Sequence, residues 1–253
     1  MLTQEQKEIF AAKGLLRLEK FLPPDTVRSV QEFMYQLGAK EGAWRNGVWQ
    51  LAETSERPEF TKPISKKEFN ILTTPALRAA MNLLVDGQGV EARSNPSLLF
   101  TLPQAGPWTM FNSWHTDAPR QAHGGIPGVQ MFTFLEPVRP RGGGTLVVTG
   151  SHRLVNNAKF IRSRDVKKRL LQYAYFQALL AKEQPNPDRY LTTPGSVGDV
   201  ELQVVELHGE PGDVYLMDLR LLHTGSSNTT TTPRFMVTQR YYLESTTHWI
   251  KRA

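Results

Sequence analysis

Through the first third of the chain apolar residues recur at helical spacing, and from residue 97 onward they fall into short segments broken by glycine and proline. Thr3 to Lys13 reads as a helix stopped by Gly14, and Gly14 to Lys20 as a short strand. Pro23-Pro24-Asp25 opens a second helix, in which Val27, Val30, Phe33, Met34 and Leu37 recur on one face and Gly38 closes the segment. Residues 41–65, with Trp44, Trp49, Pro58 and Pro63, show no clear period and read as loop. A third helix is predicted from Thr74 to Leu84.

Strands are predicted at 97–102, 108–117, 128–136, 144–149, 200–207, 213–218, 219–224 and 233–243. Turn signals separate them: Pro103-Gln-Ala-Gly-Pro, Arg141-Gly-Gly-Gly, Gly209-Glu-Pro-Gly-Asp and the stretch from Ser226 to Pro233. Many short strands at this spacing predict a sandwich or barrel. One helix interrupts them, from Ser163 to Lys182, basic at its start and apolar later. No repeat or domain-sized linker divides the 253 residues, so one domain is expected, with residues 1–96 a mainly helical part packed on a β core of residues 97–253.

Composition narrows the chemistry. Hydrophobic residues at 40% and charged residues at 21% are ordinary for a globular protein. The chain has no cysteine, which excludes disulfides, thiolate metal sites and a cysteine nucleophile, so a metal must rest on His, Asp or Glu. No apolar run approaches a bilayer span, and residues 1–20 lack the pattern of a secretory signal; no membrane association and a cytoplasmic location are expected. The net charge is +6, and residues 139–169 hold nine basic residues against one acidic, Asp165. Such a window either attracts anions or is a solvated face. It lacks interleaved aromatics and any reading module, so no nucleic-acid partner is expected.

Two constellations carry chemistry. In Trp114-His115-Thr116-Asp117, strand geometry turns residues two apart to one side, so His115 and Asp117 can present an imidazole and a carboxylate to one point. A six-coordinate iron(II) site with two His and one carboxylate needs that pairing, but a short motif alone is a weak signal. The second runs from Gly212-Asp213 to His223, with Arg234 eleven residues further at the start of the last strand. An arginine there offers a planar fork of donors suited to a carboxylate. His223 alone would read as a core histidine and Arg234 alone as a surface residue; the ordered set of four is the stronger pattern.

On these residues the chain resembles the phytanoyl-CoA dioxygenase family of iron(II)/2-oxoglutarate oxygenases. Gly14-Leu-Leu-Arg-Leu-Glu-Lys-Phe-Leu-Pro-Pro-Asp-Thr-Val is similar to the family's opening strand and helix, and His115-Thr-Asp117 to its first two metal ligands. Gly144 to Arg153, containing Gly150-Ser-His-Arg, resembles its glycine-serine-histidine signature, and Gly212-Asp213, His223 and Arg234 its closing motif. The resemblance implies a double-stranded β-helix (a cupin-like jelly-roll of two antiparallel sheets) with helices packed outside. It implies His115, Asp117 and His223 as metal ligands, Arg234 as anchor for the far carboxylate of 2-oxoglutarate, and Thr133 as a further co-substrate contact. Phe132 stands where the family often has Trp, and Gly225, followed by Ser226, where it can have a second carboxylate donor.

The implied reaction consumes iron(II)-bound 2-oxoglutarate and O₂, releases succinate and CO₂, and hydroxylates or otherwise oxidises an unactivated C–H of a small organic molecule. Asp117 occupies the position that halogenating relatives leave to a small residue. Alternatives are the same chemistry on an anionic, CoA- or carrier-protein-linked substrate, and a non-catalytic metal- or metabolite-binding barrel. His152 reads as a structural loop residue rather than a ligand, since the triad is already complete. His123, in the Gly124-Gly125-Ile-Pro-Gly128 loop, reads as exposed or as a substrate contact, and Trp44 and Trp49 as pocket wall or ordinary packing.

Overall fold

The computed structural model describes residues 2–49, 64–118, 125–155, 163–184 and 186–244. Helix α1 (Gln4–Lys13) starts with a capping box, in which the Gln6 amide donates to Thr3 Oγ1 and the Thr3 amide to the Gln6 side chain. It ends at Gly14, which takes φ 70° and so suits a residue without Cβ. There follow β1 (Leu15–Leu18), α2 (Pro24–Lys40), β2 (Trp44–Arg45), β3 (Val48–Trp49), β4 (Ile64–Ser65), a 3-10 turn at Lys67–Leu72, α3 (Pro75–Leu84), β5 (Val90–Ala92) and β6 (Ser97–Thr101). The second half adds β7 (Gly128–Phe134), β8 (Leu146–Thr149), α4 (Ser151–Leu154), α5 (Ser163–Leu170), α6 (Ala174–Leu179) and α7 (Arg189–Thr192). The last strands are β9 (Gly195–Val197), β10 (Val200–Glu206), β11 (Val214–Asp218), β12 (His223–Thr224) and β13 (Arg234–Leu243).

The large sheet has the order β1-β11-β7-β13-β6-β4, with β5 also on β13; the small sheet has the order β12-β8-β10-β9. All pairings within them are antiparallel. Side chains alternate across each strand, and the burial clusters show which face is which. On the large sheet Met131, Val237 and Phe235 pack with Val30 and Met34 of α2 and with Leu77 and Met81 of α3. The opposite face carries Phe132, Phe134, Tyr215 and Met236, which meet Val147 of the small sheet. The back of the small sheet, with Val148 and Leu202, is covered by Val166 and Leu170 of α5 and Phe176 and Leu179 of α6. This is a double-stranded β-helix, with one set of helices outside each sheet.

Several elements differ from the sequence expectation. The segment after α2 holds a hairpin, because Asn46 and Gly47 both take positive φ (52° and 76°) and pair Trp44 with Trp49. Those two indoles stack with Tyr35 and, through Trp49, with Phe235 on the helix side of the sheet, so they pack rather than wall the interior. The helix expected at 163–182 is two, because Tyr173 is extended (φ −102°, ψ 133°) and caps α6; the break lets both pieces lie on one sheet face. The strand expected at 219–224 is reduced to His223–Thr224 by a turn in which Arg220 forms a buried ion pair with Asp218. The strand expected at 108–117 pairs only at isolated bridges, Met110 with Ser226 and His115 with His223.

The basic window is partly neutralised by acids from elsewhere in the fold. Arg139 pairs with Glu210, Arg141 with Asp188 and Arg153 with Asp199 at 2.6, 2.6 and 2.9 Å. Lys159 and Arg162 lie outside the described residues, as do His123, Gly124, Pro58 and Pro63. Among the described residues no helix is long and apolar enough to cross a membrane.

Candidate metal and co-substrate site

Backbone pairing brings the two histidines together. The His115 amide donates to the His223 carbonyl and the His223 amide to that of His115, both at 2.9 Å, while the Asp117 amide donates to the Leu219 carbonyl. The ring centroids are 4.2 Å apart, and one ligand atom from each of His115, Asp117 and His223 lies within 4.8 Å of the others. His223 Nε2 is 3.4 Å from Asp117 Oδ2, and His115 Nε2 is 3.9 Å from Oδ1.

The tautomers follow from the same backbone. His115 Nδ1 sits 2.8 Å from the Ser113 carbonyl and His223 Nδ1 3.0 Å from the Leu221 carbonyl. A carbonyl only accepts, so each Nδ1 carries the proton and each Nε2 turns a lone pair to the shared point. Burial, then the neighbouring His223, lower the pKa of His115, which keeps it neutral and ligand-competent. Burial alone would raise the Asp117 pKa, but His223 and the Arg240 guanidinium outweigh it and hold the carboxyl well below the usual range. Two imidazoles and one carboxylate converging this way suit a divalent iron with open positions.

Arg234 is 8% exposed and forms no ion pair among the described residues. Its Nη1 reaches the Met236 sulfur at 3.4 Å and its Nε has no hydrogen-bond partner among the described residues. Burial pushes the guanidinium down to about 10, opposed only by the field of Glu206. That carboxylate is itself occupied by the Arg141 and Gly144 amides. A buried guanidinium without an anion is costly, so the position fits an anionic co-substrate such as 2-oxoglutarate. Alternation along β13 puts Arg234, Met236, Thr238 and Arg240 on the interior face, and Arg240 Nε donates to Asp117 Oδ2 at 2.6 Å.

Thr133 is not brought to this site. It pairs with Val214 and Val237, which face the helices, and its hydroxyl donates to the Asp213 carbonyl at 2.8 Å. Gln130, Phe132 and Phe134 are the inward residues of β7, one step away in the alternation. Thr238 donates its hydroxyl proton to the Met131 carbonyl and so accepts from Gln130 Nε2, which turns Gln130 Oε1 to a place with no partner. Ser226 is spent on the Gly144 carbonyl.

The Gly-Ser-His-Arg segment lies behind the histidine pair. Gly150, at φ 79°, has no room for a Cβ, which would sit 2.2 Å from the Glu201 carbonyl. Ser151 Oγ donates to the Val148 carbonyl and accepts from the Leu222 amide, one residue before His223. His152 is buried with Nε2 on the Ala11 carbonyl and takes no part in the triad. Asp213 is likewise structural, binding Arg17 and the amides of Lys20 and Glu210. No motif in the sequence marks the contact of Arg240 with Asp117, although counting by twos along the last strand from Arg234 reaches Arg240.

The sequence profile described as phytanoyl-CoA dioxygenase (PhyH) matches residues 10–236. The chain belongs to the phytanoyl-CoA dioxygenase family. It is therefore a 2-oxoglutarate-dependent non-haem iron oxygenase, with iron(II), 2-oxoglutarate and O₂ as its cofactor and co-substrates. Similar solved structures include the carbocyclase SnoK of nogalamycin biosynthesis, at 16% identity and TM-score 0.62, covering 100% of this chain and 91% of SnoK. AviO1 from Streptomyces viridochromogenes Tue57 shares 21% identity at TM-score 0.57, with 96% of each chain covered. EctD from S. alaskensis, solved with 2-oxoglutarate and 5-hydroxyectoine, shares 19% identity at TM-score 0.56, covering 96% of this chain and 77% of EctD. At such identities the likeness speaks for the fold. No curated protein matches the chain in sequence.

Proposed function

We propose that this family member hydroxylates, or oxidises by desaturation, ring formation or epimerisation, an unactivated C–H of a small organic molecule, with His115, Asp117 and His223 as iron ligands and Arg234 as the 2-oxoglutarate anchor. The observation that carries this reading is the pairing of a His-Asp-His cluster, its lone pairs turned inward, with a buried arginine that has no ion-pair partner among the described residues. Iron(II) with 2-oxoglutarate and O₂ supplies, when bound, an oxidant able to attack such a bond, with succinate and CO₂ as co-products. The protein's part is placement. The Ser113 and Leu221 carbonyls hold the Nδ1 protons and keep both rings oriented. Asp117 contributes the single negative charge and fills the position a halide would need, which favours hydroxylation over halogenation. Arg234 orients the keto acid by its far carboxylate, and Phe132, Phe134 and Met236 keep water from the interior.

A small-molecule substrate is the first reading and a CoA- or carrier-linked one the second: Arg139, Arg141 and Arg153 of the basic window are engaged in ion pairs, whereas α5 carries Arg164, Lys167, Lys168 and Arg169. The test is a substrate screen on metal-free protein reloaded with iron(II) under 2-oxoglutarate, scored by succinate release above the substrate-free rate and by product mass. Chelation should abolish turnover and added iron(II) restore it. Equal turnover by a metal-free preparation would sink the reading.

A further inference from the structure

The last strand carries two inward arginines in opposite circumstances. Arg234 is buried with no ion-pair partner among the described residues, whereas the Arg240 side chain is 46% exposed and bound to a carboxylate that is itself only 12% exposed. Arg240 lies opposite Gln130 in the β13–β7 register, and its Nε sits 2.6 Å from Asp117 Oδ2. Its two terminal amines make no hydrogen bond among the described residues. We propose that Arg240 is a positioning residue of the metal centre, which holds one oxygen of Asp117 so that the carboxylate offers only the other to iron. The proposal rests on the triad being the iron site.

Coordination number supplies the reason. Three single-atom protein ligands leave three of six positions, the number needed for two oxygens of 2-oxoglutarate and one O₂. A carboxylate is free to chelate through both oxygens, which would close one of those positions. A charge-assisted hydrogen bond on Oδ2 competes for that second oxygen and sets the rotation of the carboxylate plane. His223 Nε2, at 3.4 Å from the same oxygen, is too committed to its own lone-pair direction to do this once a metal is bound. A bystander cation would act with the opposite sign: its field would repel iron, and its removal would tighten binding.

The test uses full-length, metal-free Arg240→Met and Arg240→Lys beside wild type. Iron(II) affinity is measured anaerobically by chelator competition, and coordination number by near-infrared magnetic circular dichroism of the iron(II)–2-oxoglutarate complex. Arg240→Met should lose about 10- to 100-fold in iron affinity, typical of an outer-sphere partner, and should show a changed ligand-field pattern. At saturating iron its 2-oxoglutarate affinity should stay within a few-fold of wild type, unlike an Arg234 variant. Arg240→Lys keeps the cation and should recover part of both signals; it also decides the matter if the Met variant does not fold. Wild-type affinity and spectra in both variants, or tighter iron binding in Arg240→Met, would overturn the positioning role while leaving the proposed function intact. Failure of wild type itself to bind iron with 2-oxoglutarate would overturn both.

Discussion

Replacing Arg234 by methionine should strengthen the metal-free protein while weakening its hold on 2-oxoglutarate. Lowering the guanidinium from its ordinary range to about 10 corresponds to a burial penalty of roughly 3 kcal/mol. The sign is that of a cation whose folded pKa is depressed. The penalty is fully present at every pH below about 10 and is relieved only as pH rises from there toward the ordinary arginine range. A methionine of similar length beside Met236 removes the charge and fills much of the space, and replacing whole buried ion pairs by packed hydrophobic residues is neutral or stabilises by about 1–4 kcal/mol in other proteins. For a chain of this size, about 2 kcal/mol raises the melting temperature by roughly 4–8 °C. The co-substrate effect runs the other way. Losing a buried charge pair costs about 2–5 kcal/mol, so the 2-oxoglutarate dissociation constant should rise by roughly two orders of magnitude at saturating iron. Scanning calorimetry of metal-free protein and anaerobic titration of the iron-loaded form measure the two effects separately. A variant that melts below wild type and binds 2-oxoglutarate unchanged would refute both the burial argument and the anchoring role.

Three further outcomes follow from the site. His115→Ala and His223→Ala should each abolish iron binding in anaerobic equilibrium dialysis; iron retained at the wild-type level by either variant would remove that histidine from the triad. Thr133→Val should cost about 1 kcal/mol of stability through the lost bond to Asp213 and leave 2-oxoglutarate affinity unchanged by titration; a tenfold loss would return Thr133 to the site. Ser151→Ala leaves the buried Leu222 amide unpaired, so urea melts should show a loss of about 1–3 kcal/mol together with weaker iron binding, whereas unaltered iron affinity would mean that this bond does not position His223.

Local patterns in the sequence were enough for the helices that cover the large sheet and for most strands. Helical spacing and glycine stops lie within a few residues of each other, so α1, α2 and α3 follow from short stretches, and the strands at 128–134, 200–206 and 234–243 from apolar runs between turns. The order of His115, Asp117, His223 and Arg234 along the chain was legible because chemistry restricts those positions to few residue types. What no local pattern contains is which face of a strand looks inward and what long-range pairing sets beside it. Thr133 and Phe132 are neighbours in sequence, yet only the sheet's position between helices and interior turns one outward and the other in. Arg234 and Arg240 are chemically identical, and tertiary placement alone leaves one with no ion pair among the described residues and binds the other to Asp117. The site as a cluster exists because a backbone bridge joins His115 to His223 across more than a hundred residues, a contact whose closure entropy is offset only when the whole sandwich packs.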